Sequence, residues 1–202
     1  ESNAICSSCT GEAYNQKPGA AGTLSPLVDF KTCDEDGNDL PQGAQGEIWL
    51  RSVCNIQSYW HRPEANASSF KDGWMATGDI GYLDEDGFVF LADRAKDLII
   101  RGGENIYPAE IEALLSQHPD ILESAVFGVP DDTMGESVAA LVRLNDGKSL
   151  TEAEVSSFLA KHLAAFKLPK FVLFAAAPLP RNPAGKVLKK DIKAEYATLA
   201  QA

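Results

Sequence analysis

The run Ile80-Gly81-Tyr82-Leu83-Asp84-Glu85-Asp86-Gly87-Phe88-Val89-Phe90-Leu91 holds two short apolar and aromatic segments around a polar tetrapeptide ending in Asp-Gly. Aromatic and β-branched residues favour a pleated surface, and Gly87 supplies the positive φ that a tight turn demands. The spacing predicts an antiparallel hairpin. Immediately beyond it the character changes. Asp93-Arg94-Ala95-Lys96-Asp97 is polar, Leu98-Ile99-Ile100 is a short apolar strand, and Pro108 opens a helix carrying Ile111, Leu114 and Leu115 on one face. The chain is therefore read as α+β in two parts, residues 1–94 and 95–202, with the boundary near 94–97.

Working back from the hairpin, residues 1–45 are rich in Gly, Pro, Ser and Asp and read as strands and turns without helix. Leu27-Val28-Asp29-Phe30-Lys31 and Gly46-Glu47-Ile48-Trp49-Leu50-Arg51 are strand-like, and Asp34-Glu35-Asp36-Gly37 repeats the turn signal. Arg62 to Phe70 reads as a short helix with Pro63 in its first turn. Working forward, Glu123–Val129 and Ser137–Leu144 are two further strands. Thr151-Glu152-Ala153-Glu154 is a capping box, opening a helix that turns Val155, Phe158, Leu159 and Leu163 inward. Phe171–Phe174 is a last strand, and a loop with Pro178, Pro180 and Pro183 leads to a final helix from about Lys189.

The chain has 202 residues, with 18 Lys and Arg against 29 Asp and Glu, a formal net charge of −11. That balance argues against a nucleic-acid surface, where cations must neutralise phosphates, but leaves room for a nucleotide held by a few local charges. No window approaches the roughly 18 apolar residues of a membrane helix, and no signal peptide opens the chain. Cys6 and Cys9 form a C-x-x-C without a second ligand pair, since Cys33 and Cys54 stand alone and His61, His118 and His162 are unpaired. The reading is a reduced, cytoplasmic protein. Its start at Glu1, not Met, suggests a piece of a longer protein.

Three segments carry more polar and glycine content than packing requires. In Thr77-Gly78-Asp79, a carboxylate behind a glycine either caps a turn or accepts two hydrogen bonds from a vicinal diol. In Arg101-Gly102-Gly103-Glu104-Asn105, paired glycines let a narrow ligand pass the backbone, or simply belong to a solvated linker. In Pro180-Arg181-Asn182-Pro183-Ala184-Gly185-Lys186, a stiffened loop presents one long cation, suited to an anionic transition state or to nothing beyond solvent.

Four stretches in order make a pattern: Trp74-Met75-Ala76-Thr77-Gly78-Asp79-Ile80-Gly81-Tyr82, Asp93-Arg94-Ala95-Lys96-Asp97-Leu98-Ile99, Gly102-Gly103-Glu104-Asn105-Ile106-Tyr107-Pro108-Ala109-Glu110-Ile111-Glu112, and Pro180 to Lys186. Together they resemble the C-terminal motifs of the adenylate-forming superfamily, which includes acyl-CoA synthetases, luciferases and nonribosomal-peptide adenylation domains. Lys17-Pro18-Gly19-Ala20-Ala21-Gly22 and Tyr59-Trp60-His61-Arg62-Pro63-Glu64-Ala65-Asn66 fit the same pattern, so the resemblance spans nearly the whole chain.

The resemblance implies an ATP-dependent acyl-CoA synthetase acting on a fatty or aromatic acid, through an acyl-adenylate and pyrophosphate, with coenzyme A as acceptor. It implies that Asp79 holds the ribose hydroxyls, that Arg94 assists on the nucleotide, and that Lys96 is the hinge of a mobile α+β lid. Gly102 and Gly103 would face the pantetheine arm of coenzyme A. Lys186 would bridge the carboxylate and the α-phosphate. Glu1 would be the last residue of a magnesium-supporting motif. Residues 1–94 would be the β-rich end of a larger domain that completes the site, so this chain alone is expected to be inactive. A carrier-protein-loading adenylation domain, a luciferase-like enzyme and a standalone binding module are the alternatives. The family's phosphate loop and most of its acyl pocket are absent, and nothing in these residues names the acid.

Overall fold

A computed structural model describes residues 6–8 and 11–197. The chain divides into two compact units, Glu1–Lys96 and Asp97–Ala202. Among the described residues the first unit holds β1 (Ser7–Ser8), α1 (Glu12–Gln16), β2 (Ala20–Leu24), β3 (Asp29–Cys33), β4 (Gly46–Arg51), α2 (Pro63–Ser69), β5 (Phe70–Lys71), β6 (Trp74–Leu83) and β7 (Phe88–Arg94). Its strands form one sheet in the order β1-β2-β7-β6-β4-β3, with β5 pairing β6. The pairings in it are antiparallel.

The hairpin expected from residues 80–91 is longer, β6 and β7 together running from Trp74 to Arg94. At its tip the Asp84 carboxylate accepts from the Asp86 and Phe88 N–H groups at 3.0 and 2.8 Å, and Gly87 has φ 80°. Tyr82 and Phe90 stand opposite each other and stack at 4.9 Å between centroids. Lys17 bridges Asp84 and Asp86 at 2.8 and 2.7 Å, tying the tip to the chain ahead of β2. The Asp34–Gly37 turn repeats the device, Asp34 accepting from the Asp36 and Asn38 N–H groups. One expectation is corrected: α1 lies inside the stretch read as free of helix. Glu12 to Gln16 contains no glycine or proline, and the helix stops at Lys17, which Pro18 pushes out of helical φ and ψ.

In the second unit β8 (Ile99–Arg101), β9 (Glu104–Ile106), α3 (Pro108–Leu115), β10 (Ile121–Asp131), β11 (Gly135–Leu144), α4 (Glu152–Leu159), β12 (Phe171–Phe174) and α5 (Lys189–Glu195) follow in order. The sheet runs β10-β11-β8-β9, and β12 pairs parallel to β11. A parallel neighbour requires a crossover, and the segment carrying α4 supplies it. Alternation along β10 and β11 explains why both strands read as near-continuous apolar runs. Val126, Val138, Ala140 and Val142 join Ile111 and Leu115 of α3 and Val155 and Leu159 of α4 in one cluster. Ala125, Phe127, Val129, Ala139 and Leu141 join Leu179 and Ile192 of α5 in another. The capping box of α4 is present in full: the Thr151 side chain accepts from the Glu154 N–H, and Glu154 reaches back to the Thr151 N–H at 2.8 Å. Among the described residues no helix is long and apolar enough to cross a membrane.

Candidate functional site

In the first unit, Thr77-Gly78-Asp79 is a bulge. Glu47 pairs with Ile80 and Trp49 with Ala76, so three residues of β6 face Ile48 alone. Ile48 would lose a ladder partner there, and the Thr77 hydroxyl replaces it, donating to the Ile48 carbonyl at 2.8 Å. The same hydroxyl accepts from the Asp79 N–H at 3.1 Å. Gly78 takes φ 71°, the left-handed conformation that closes the bulge and that a Cβ would strain. Each residue of the motif thus has a separate backbone task, and their sum places Asp79 opposite Arg94 of β7.

The Asp79 carboxylate takes the Arg94 guanidinium on Oδ1 at 2.7 Å, with both side chains part exposed. It caps no turn. Its Oδ2 has no protein donor among the described residues, so one oxygen stays available to accept from a ligand. The pair borders a cavity of about 330 Å³, whose apolar lining includes Ile48, Leu50, Met75 and Val89. Cys6 also lines it, and burial raises its thiol pKa, which favours an inert thiol over a thiolate. Cys9 lies outside the described residues, as does Glu1, the expected magnesium ligand. Among the described residues no three His, Cys, Asp or Glu side chains are grouped to hold a metal.

Lys96 lies in the single turn Ala95–Asp97, at the last position of the first unit. In the second unit, Gly102 and Gly103 are the two central residues of a tight hairpin, because Arg101 pairs with Glu104. Their φ values of 61° and 84° are those of a type I′ turn. The Gly102 N–H donates to the Met134 carbonyl at 2.8 Å, which docks this hairpin on the turn between β10 and β11. Asp131 shapes that turn. Its carboxylate accepts from the Ser137 hydroxyl at 2.6 Å, Lys170 at 2.9 Å and the Thr133 and Met134 N–H groups at 3.1 Å. Those bonds, led by the Ser137 hydroxyl and Lys170, hold its carboxyl far below the ordinary aspartate range.

Lys186 sits on an exposed hairpin in which Arg181 bridges Val187 and Gly185 has φ 83°. The Asn182 N–H donates to the Lys186 carbonyl, and the Lys186 N–H donates to Asn182 Oδ1, both at 2.9 Å. Among the described residues Lys186 Nζ has no partner. Nearby Arg181, Lys189 and Lys193 each meet a carboxylate, Glu123, Glu112 and Glu136. The expected residues thus fall in two groups, Asp79 and Arg94 in the first unit and Gly102, Gly103 and Lys186 in the second.

Sequence reasoning missed the acids that hold these loops, Glu123 and Asp131. One signal was present for Glu123: it is the lone charge in the mainly apolar stretch Ile121–Val129.

Residues 110–186 match the family model of the AMP-binding enzyme C-terminal domain, ending on Lys186. The chain is 43% identical over 188 residues to a long-chain-fatty-acid–CoA ligase of Yersinia pestis, covering 92% of this chain and 33% of that protein. It is 44% identical to a fatty acid–[acyl-carrier-protein] ligase of Streptomyces coeruleorubidus, covering 88% of this chain and 34% of that one. The o-succinylbenzoate CoA synthetase of Bacillus subtilis, solved with its acyl-adenylate intermediate, superposes with a TM-score of 0.85 at 36% identity. That match covers 94% of this chain and 38% of the other. The chain thus spans about a third of the length of the curated relatives it matches. The α+β architecture is shared with a structure of clear sequence relationship, and the lysine hairpin closes the matched segment. The chain belongs to the adenylate-forming superfamily and carries that superfamily's AMP-binding enzyme C-terminal domain.

Proposed function

We propose that this chain is the C-terminal part of an ATP-dependent acid–thiol ligase that forms an acyl-adenylate and then a thioester. The observation that carries the reading is the Thr77-Gly78-Asp79 bulge, which leaves Asp79 Oδ2 uncommitted beside a cavity. A carboxylate with one oxygen fixed by Arg94 accepts hydrogen bonds from the two hydroxyls of a ribose, and Arg94 adds a positive charge beside the nucleotide. In the first half-reaction a carboxylate oxygen of the acid bonds to the α-phosphorus of ATP and pyrophosphate leaves. Lys186 supplies the cation between those two anions, and its lack of a protein partner leaves its charge undivided. In the second half-reaction the thiol gives up its proton to solvent, its sulfur bonds to the acyl carbon, and the acyl–oxygen bond breaks as AMP leaves. Gly102 and Gly103 border the acceptor's arm, and Lys96 is the position about which the chain swivels between the two steps.

Glu1, the residue expected to support magnesium, lies outside the described residues, among which no three His, Cys, Asp or Glu side chains are grouped to hold a metal. The substrate acid is fatty or aromatic, and the site works in the cytoplasm. Both coenzyme A and an acyl-carrier protein stand as acceptors, because ligases of both kinds are among the relatives. The test is pyrophosphate exchange and thioester formation in the complete gene product. Lys186→Ala abolishes exchange and spares thioester formation from supplied acyl-adenylate, while Asp79→Asn raises the KM for ATP. Equal loss in both half-reactions for Lys186→Ala overturns the assignment.

A further inference from the structure

Glu123 of β10 is a nearly buried carboxylate, its side chain 14% exposed. Its Oε1 accepts from Arg143 at 3.1 Å and from the Leu179 N–H at 3.2 Å, and its Oε2 accepts from Arg181. Two of these three donors belong to the segment that leads into the lysine hairpin. The second arm of the Arg181 guanidinium donates to the Gly185 carbonyl at 2.7 Å, the peptide that joins Gly185 to Lys186. Downstream, Leu188 donates to the Pro180 carbonyl at 2.8 Å and Lys189 pairs with Glu112 at 2.8 Å. One guanidinium therefore stands between a fixed acid on the sheet and the backbone of Lys186.

From this geometry we infer that Glu123, acting through Arg181, is the positioning residue for Lys186, fixing where its ammonium stands during adenylation. The inference rests on the role given to Lys186 above and extends it to two residues that touch no substrate. The chemistry favours a locked tether. A carboxylate with so little of its side chain exposed is costly to leave unpaired, and detaching the hairpin would leave it Arg143 alone. Burial opposes its ionisation, yet the bonds from Arg181, the Leu179 N–H and Arg143 outweigh that and hold its carboxyl below the usual glutamate range. A planar fork can serve Glu123 and Gly185 at once, whereas an ammonium is a point charge. A cation held in place before the reaction stabilises developing charge without reorganising, and misplacement by about 1 Å costs on the order of 100-fold in rate.

The test compares Glu123→Gln, Arg181→Lys and Lys186→Ala in the complete gene product. Glu123→Gln should lower kcat for pyrophosphate exchange by about 10- to 100-fold with KM for ATP within about twofold, as for a group that acts only in the transition state. Thioester formation from supplied acyl-adenylate should be unchanged. Amide exchange at Lys186 should quicken while that at Val126, on the same strand, stays protected. Glu123→Asp should recover part of the loss, and Arg181→Lys, on the exposed side of the pair, should reproduce it. The double variant Glu123→Gln/Arg181→Lys should be no slower than either single one. Wild-type exchange rates in both single variants, beside a dead Lys186→Ala, overturn the positioning role alone. Equal loss in both half-reactions by Arg181→Lys also overturns it. Full exchange activity in Lys186→Ala overturns the reading of the site and this inference with it.

Discussion

Whether Gly102 and Gly103 serve the turn or a ligand is decided by substituting them separately. Both have positive φ, but their surroundings differ: a Cβ on Gly102 would meet Met134 Cε at 2.5 Å, while one on Gly103 would meet nothing within 4 Å. Left-handed backbone costs an ordinary residue about 1–2 kcal/mol. Gly103→Ala should therefore destabilise the second unit by about that amount. Gly102→Ala adds displacement of the Met134 tip, a flexible end that can yield, so its total should come to about 2–3 kcal/mol. Gly103→Asn should cost less than 1 kcal/mol, roughly, because Asn adopts this conformation readily and occurs in such turns. With a urea m-value of about 1–2 kcal/mol/M, a loss of 1 kcal/mol moves the midpoint by roughly 0.5–1 M, well within measurement. All three tryptophans, Trp49, Trp60 and Trp74, belong to the first unit, so the second is followed by far-ultraviolet circular dichroism and by amide exchange in β10 and β11. Equal cost for Ala and Asn at position 103 would refute the turn argument. If the turn argument holds, Gly103→Asn becomes a clean probe of the acceptor site. It should slow thioester formation several-fold in the complete gene product through bulk alone, and an unchanged rate would remove the pantetheine role from Gly103.

Thr77→Val should destabilise the first unit by about 1–3 kcal/mol, since it strips the Ile48 carbonyl and the Asp79 N–H of their shared partner; tryptophan fluorescence in urea reads it, and a neutral result would mean the bulge closes without the hydroxyl. Asp131 has a folded pKa depressed below its ordinary 3.8, so the unfolded chain takes up the proton first on acidification. Its contribution is then complete above that value and drains away as pH falls from about 4 through the lower folded pKa. Asp131→Asn should weaken the second unit at pH 7 and flatten its acid dependence, leaving the parts owed to Glu123 and Glu154, whose carboxyls are also held below their ordinary range; an unaltered acid limb would remove Asp131 as its source. Lys96→Pro fixes φ near −65° at the swivel position and should damage one half-reaction while sparing the other; equal turnover in both would end the hinge reading.

The hairpin, the capping box, the strand Phe171–Phe174 and the helix after Pro108 were legible because each is written in contiguous residues. Asp84 bonds its own turn, and Thr151 bonds a residue of its own helix, so sequence spacing is the geometry. The helix α1 escaped notice because five residues carry too little periodicity to register. At the site, Thr77-Gly78-Asp79 was visible as an unusual cluster, but its mechanism was not. A bulge is a mismatch between two strands, and the residue that defines it, Ile48, lies elsewhere in the chain.

The same distinction separates what acts from what holds. Lys186 announces itself locally, through the prolines and Gly185 that stiffen and turn its loop. What fixes that loop is set by pairing across the sheet. Glu123 reaches Arg143 because β10 and β11 pair in that register, with Glu123 opposite Arg143. It reaches Leu179 and Arg181 because β12 lies on the other edge of β11 and the segment that follows it returns to β10. A one-residue slip of β10 would turn Glu123 to the opposite face and replace it with Leu122 or Ser124, neither of which can hold a guanidinium as a carboxylate does. The apolar alternation that fills the two clusters of the second unit therefore also sets where the lysine stands. Packing defects in β10 should reach adenylation through Glu123 before they unfold the unit.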